Sequence, residues 1–155
     1  MAHPDPKRIS ATVLAIFRTY GHMLAWGDRF VAPLGTTSAR WQMLGALAMS
    51  EQPLTAPRIA DAMGVTRQGA HKQIKLLMAD GLVEQLPNPA HRRSPLYRFT
   101  TRGRKLFGEI DARWTTHARE VARAFTVAEL DTTLRVLQTL SERHALAAEE
   151  NADEA

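Results

Sequence analysis

There is no cysteine among the 155 residues, which excludes disulfides, thiolate metal sites and thiol-based redox sensing together. No apolar run is long enough to cross a bilayer, and the opening MAHPDPKRIS has no hydrophobic segment of the signal-peptide kind, so a cytoplasmic protein without a membrane partner is expected. The chain also lacks a glycine-rich phosphate loop and an HExxH zinc motif; neither an enzyme nor a cofactor is expected. His117 and Glu120, in HARE, stand three apart on a helical stretch, but no complete ligand set accompanies them, and no metal site is expected. Acidic residues are scarce where basic ones are dense. From Pro57 to Lys105 there are 10 Lys and Arg against 3 Asp and Glu, a local +7, while the whole chain carries only +4 and its flanks therefore sum to −3. Charge concentrated in this way marks a surface that meets a polyanion, nucleic acid first.

What is present is mostly helical periodicity. The length allows one sizeable core, as a single domain or one domain with helical extensions. Val13, Ile16, Phe17, Tyr20, Leu24 and Val31 recur at threes and fours, predicting a helix from Ser10 to about Val31. Met23, Trp26 and Phe30 add a second apolar face to its later half, so burial on two sides is expected there, with Gly21 and Gly27 serving close packing. A second helix, capped by Thr37 or Ser38, carries Trp41, Leu44, Leu47 and Ala48. Thr55 caps a short third helix that Gly64 ends, and Thr66 caps a fourth with Ala70, Ile74 and Leu77 inward and Gln68, His71, Lys72 and Lys75 outward. Two helices meeting at a glycine corner form a helix-turn-helix. After Gly81, LVEQLP and LYRF read as a β-hairpin whose loop NPAHRRSP projects His91, Arg92 and Arg93 as a wing. A lone hairpin is marginal in water and should lean on the helices. A long helix from about Thr100 carries Leu106, Ile110, Trp114, His117 and Val121, and Thr126 with Glu129 forms a capping box for a last helix bearing Leu130, Leu134, Leu137 and Leu140.

The fold expected is therefore mainly α with a small β-hairpin wing. Residues 1–36 form an N-terminal helical region, 37–105 a winged helix-turn-helix lobe, 106–148 C-terminal helices and 149–155 an acidic flexible tail. VTRQGAHKQIKLLMADGLVEQLPNPAHRRSPLYRFTTRG resembles, without gaps, the recognition helix, wing and following helix start of the MarR family of bacterial transcription regulators. The resemblance is strong over roughly 37 to 107 and architectural elsewhere. It departs from the family pattern at Asn88 and His91, which replace acidic wing residues, and at Ala90, where many relatives carry arginine. The resemblance implies a homodimer held by the terminal helices, here through Val13, Phe17, Leu130, Leu134 and Leu137, with two lobes reading a near-palindromic operator. It also implies a small aromatic effector in a pocket for which Tyr20, His22, Trp26, Trp41, Trp114 and His117 are the candidates, against the plainer reading that these side chains are core.

The physical case for double-stranded DNA is that a helix bearing basic and amide groups fits the major groove, where Arg or Lys bonds guanine and Gln bonds adenine. Thr66, Arg67, Gln68, His71, Lys72 and Lys75 are the contacts expected from the fourth helix, and His91, Arg92 and Arg93 those from the wing, where a narrow minor groove attracts arginine. The function expected is a dimeric, sequence-specific transcriptional regulator, a repressor relieved by a small ligand. The alternative is a winged-helix protein-interaction module whose basic face meets an acidic partner.

Overall fold

In the computed structural model, residues 5–153 are described, with side-chain surroundings for 5–145. Helix α1 spans Pro6–Val31, four residues longer at its start than apolar periodicity predicts. The extra turn comes from local chemistry: the Asp5 carboxylate accepts a hydrogen bond from Lys7 N at 2.9 Å and Pro6 supplies a pre-set first helical φ. A 3₁₀ turn, Ala32–Leu34, leads to α2, Ser38–Ala48. Thr37 is the N-cap of α2, and Ser38 is its buried first residue, donating its backbone N–H to Asp28 Oδ1 at 2.7 Å. Met43, Leu44, Ala46 and Leu47 are all buried while Ala48 is exposed. The helix is thus covered on more than one face, and the single stripe ending at Ala48 is corrected.

Around α2 the remaining elements of the lobe assemble. They are β1 (Leu54–Thr55), α3 (Ala56–Met63), α4 (Arg67–Ala79), β2 (Val83–Leu86) and β3 (Leu96–Phe99). The sheet is antiparallel with order β1-β3-β2, registering Val83 opposite Phe99 and Leu54 opposite Tyr97. The strand β1 has no counterpart among the sequence expectations, because two residues carry no periodicity. It settles the hairpin's difficulty: β3 is paired on both edges, and Leu54 and Tyr97 join Leu44, Ile59, Ile74 and Leu77 in one core.

Burial pushes the Tyr97 phenol above its ordinary value. The folded state therefore holds the phenolic proton more tightly than the unfolded chain. The associated stability is complete below the unfolded value of about 10 and is lost as pH rises through the higher folded one. Urea melts at neutral and strongly alkaline pH should show an alkaline loss that is smaller in Tyr97→Phe.

The chain divides into two compact units, up to Asp111 and from Ala112, and α5 (Thr101–Ala122) contributes to both. Its first turn is stitched to the corner before β2. Thr100 donates its hydroxyl to Gly81 O at 2.6 Å and its N–H to Leu82 O at 3.1 Å, while Gly103 N donates to Thr100 Oγ1 at 3.0 Å. In the second unit the expected capping box starts α6, Val127–Asp153. Thr126 N donates to Glu129 Oε2 at 2.8 Å, and Glu129 N donates to Thr126 Oγ1 at 3.3 Å. The Thr126 N–H, and the Thr126 hydroxyl donating to the same Oε2 at 2.8 Å, hold the Glu129 carboxyl's pKa below its ordinary value. The helix continues to Asp153, so the acidic segment from 149 is helical to that point; 154 and 155 lie outside the described residues.

The two glycines of α1 part company. A Cβ on Gly27 would fall 2.7 Å from Ser38 Oγ, so this glycine does permit a close approach of α1 and α2, whereas a Cβ on Gly21 would meet nothing within 4 Å. Two-sided burial of the later half of α1 likewise holds for Gly27 and Val31 but not for Met23, which is exposed with Phe17 and Tyr20. Among the described residues nothing covers that face.

Candidate nucleic-acid interface

Helix α4 is placed by its ends. Thr66 caps it, accepting from Gly69 N at 3.0 Å through Oγ1, and Gly64, at φ 62°, makes the corner from α3 that only a residue without a side chain adopts easily. At the far end Arg40 Nη1 holds Asp80 Oδ2 at 2.8 Å, neutralising an acid where the helix dipole disfavours one. With Ala70, Ile74 and Leu77 buried, the 3.6-residue period turns Arg67, Gln68, His71, Lys72 and Lys75 to solvent, as expected. The hydroxyl of Thr66 is already an acceptor within the cap, so its O–H remains as the donor it can offer outward.

The wing loop is fastened by Asn88. Its Oδ1 accepts from Ala90 N at 3.1 Å, as an aspartate's would, and its Nδ2 donates to Ser94 O at 2.8 Å, which a carboxylate could not do. This resolves the departure seen at residue 88: the amide closes the loop from both sides. His91, Arg92 and Arg93 are exposed beyond it.

Between α4 and the wing runs an open groove lined by Arg67, Gln68, His71, Arg93 and Ser94, with Ala56 and Pro57 at the start of α3. A second strip follows the outer face of α4 along Gln68, His71, Lys72, Lys75 and Leu76. Gln68 and His71 belong to both. Arg93 thus stands on the α4 side of the wing, and Arg92 and His91 do not line either groove. Leu76 was absent from the sequence-predicted set, since an apolar residue on a basic face carries no charge signal; its place at i+4 from Lys72 was the available clue.

Charge on this surface is weakly compensated from within. Of the three acids in the basic stretch, Asp80 is engaged by Arg40 and Glu84 Oε1 pairs with Arg98 Nε at 2.6 Å across the β2–β3 ladder. Arg98 therefore counts less toward the outward field than its formal charge suggests. Arg104 lies over the Phe99 ring, 5.5 Å from its centroid.

The aromatic candidates separate. Trp26 and Trp41 are brought together through Phe30, which stacks on the first at 4.6 Å and the second at 5.7 Å and was not among the predicted six. Tyr20 and His22 are exposed on α1. Trp114 and His117 lie in the second unit as a ring pair at 5.9 Å. Of the proposed seam residues, Val13 is half-buried, and Phe17, Leu130, Leu134 and Leu137 are exposed. Among the described residues no helix is long and apolar enough to cross a membrane.

Comparison with known proteins gives these features a context. The model of the MarR family matches residues 34–94. An uncharacterized protein of Mycobacterium tuberculosis is 36% identical over 125 residues, 81% of this chain and 86% of that protein. Among solved structures, a MarR mutant from E. coli complexed with operator DNA superposes with a TM-score of 0.73 at 20% identity, over 88% of this chain and 99% of that one. CouR from Rhodococcus jostii, bound to p-coumaroyl-CoA, superposes with a TM-score of 0.72 at 20% identity, over 82% and 89%. At such identities these two structures speak for the fold.

Proposed function

Since the chain belongs to the MarR family of transcription regulators, we propose that it is a cytoplasmic homodimer that binds a near-palindromic DNA operator as a repressor and is released from it by a small aromatic ligand. The observation that carries the DNA reading is the convergence of Arg67, Gln68 and His71 with the wing's Arg93 on one groove. In this reading α4 enters the major groove, the wing reaches the adjacent minor groove, and the groove between them receives the intervening phosphate strand. Two lobes related by a two-fold axis then protect half-sites about one helical turn, or 10 to 10.5 base pairs, apart.

The terminal helices support a dimer. Phe17 is 68% exposed on α1, and Leu134 and Leu137 are 57% and 39% exposed on α6. Apolar faces repeated along two long helices mark surfaces that bury against another protein. The ligand reading rests on the Trp26, Phe30 and Trp41 stack and on the aromatic acyl-CoA held by CouR. A ligand releases DNA only through its differential affinity for the two states, so salicylate-like acids should weaken operator binding if they favour a dimer whose lobes are wrongly spaced.

Affinity for operator and scrambled duplex, measured over a range of salt with and without such acids, tests the whole reading. Gln68→Ala and His71→Ala should each cost about 1 to 3 kcal/mol on the operator and little on scrambled DNA. Whichever of Arg92 and Arg93 enters the minor groove should, when changed to alanine, weaken binding and reduce the salt slope by about one phosphate contact. Equal losses on both duplexes for all four variants would mean that α4 does not read sequence. No loss for any would turn the basic face toward an acidic protein instead.

A further inference from the structure

The strip along the outer face of α4 holds four polar or basic side chains and one leucine. Leu76 is 38% exposed. A solitary exposed leucine is ordinary and says nothing alone. Its position is what matters: it lies four residues beyond Lys72 and eight beyond Gln68, on the face those residues present, while the buried stripe of the helix is filled by Ala70, Ile74 and Leu77. The helix rise carries it about 12 Å past Gln68, roughly three to four base-pair steps along a groove.

We infer that Leu76 is a specificity-determining residue that packs against the C5-methyl group of a thymine in the major groove. This rests on the reading above, in which α4 occupies that groove. The thymine methyl is the apolar group that distinguishes an A·T edge there. Leucine offers no donor and no acceptor, so against guanine O6 and N7, or cytosine N4, it strips water from polar atoms and returns no hydrogen bond. The one side chain therefore favours thymine and disfavours G·C at the same position. Lys72 and Lys75 beside it supply attraction to phosphate that is indifferent to sequence.

The test uses the full chain to select duplexes from a random pool, then replaces each thymine of the selected site singly by deoxyuridine, which deletes the methyl and leaves base pairing intact. The wild-type protein should lose about three- to fivefold in affinity at one thymine per half-site, the worth of one methyl contact. Leu76→Ala should bind the thymine and uracil duplexes equally at that position, and Leu76→Met, which keeps an apolar tip, should retain the sensitivity; unchanged circular dichroism confirms that both variants are folded. If no thymine shows a loss that depends on residue 76, or if Leu76→Ala responds as the wild type does, the inference is overturned while operator recognition stands. If the pool yields no shared sequence and the wild type binds operator-like and scrambled DNA alike, the underlying reading fails and this one with it.

Discussion

Gly103→Ala should strongly destabilise the DNA-binding lobe, although the change adds one methyl group to a residue in a helix. A Cβ built there would collide with Leu82 O and fall 2.7 Å from Leu82 C. Both are backbone atoms, so no side chain can rotate away. Relief requires the first turn of α5 to lift from the corner before β2, and that breaks the bonds through which Thr100 holds Gly81 and Leu82. Overpacking ordinarily costs about 1 to 3 kcal/mol, and a backbone clash belongs at or above the top of that range. Against a total stability of about 5 to 15 kcal/mol this is a large share, and it corresponds to a fall of roughly 6 to 12 °C in the thermal midpoint. Gly108→Ala is the control. Its Cβ would meet nothing within 4 Å, so the helix should gain up to about 1 kcal/mol from the better propensity of alanine. Thermal melts of the two variants side by side check this, and equal midpoints would refute the close approach.

Leu134→Asp combined with Leu137→Asp should produce a folded monomer with very weak operator binding. Because both leucines are exposed in the single chain, a monomeric protein would tolerate the change within about 0.5 kcal/mol. In a dimer seam the same carboxylates lose water and gain no partner, which is strongly unfavourable. In the proposed dimer, loss of this seam would separate two half-site contacts that act as one, and affinity should then fall by about 10²- to 10⁴-fold. Sedimentation and operator titration of the double variant measure both effects; a dimer that survives intact removes α6 from the interface. Phe17→Asp is the matching change on α1. Truncating α1 is a poorer test, because Gly27 and the buried Val31 belong to the lobe's own packing.

Element types and most boundaries were legible because they follow from short-range rules. Thr55, Thr66 and Thr126 each cap the helix they precede, Gly64 turns the corner before α4, and the inward stripe of α4 is the one its period predicts. The outward set from Arg67 to Lys75 followed at once, since one helical face determines the other. Signals weaker than a period escaped notice: the two-residue β1, the cap at Asp5, the exposed Leu76.

The sequence by itself therefore determined the order of the helices, the glycine corner, the wing and the concentration of positive charge, because propensity, capping and periodicity act over a few residues and need no partner. Tertiary structure decided what depends on contacts between residues far apart in the chain. It showed that Gly27 is a packing contact and Gly21 is not, that the hairpin gains a third strand, that Asp80 and Glu84 are engaged by Arg40 and Arg98, and that Arg93 shares a groove with α4. A side chain's type fixes what it can bond, but which neighbour it meets is set by the path of the backbone through space, and that path is the joint result of every residue in the core.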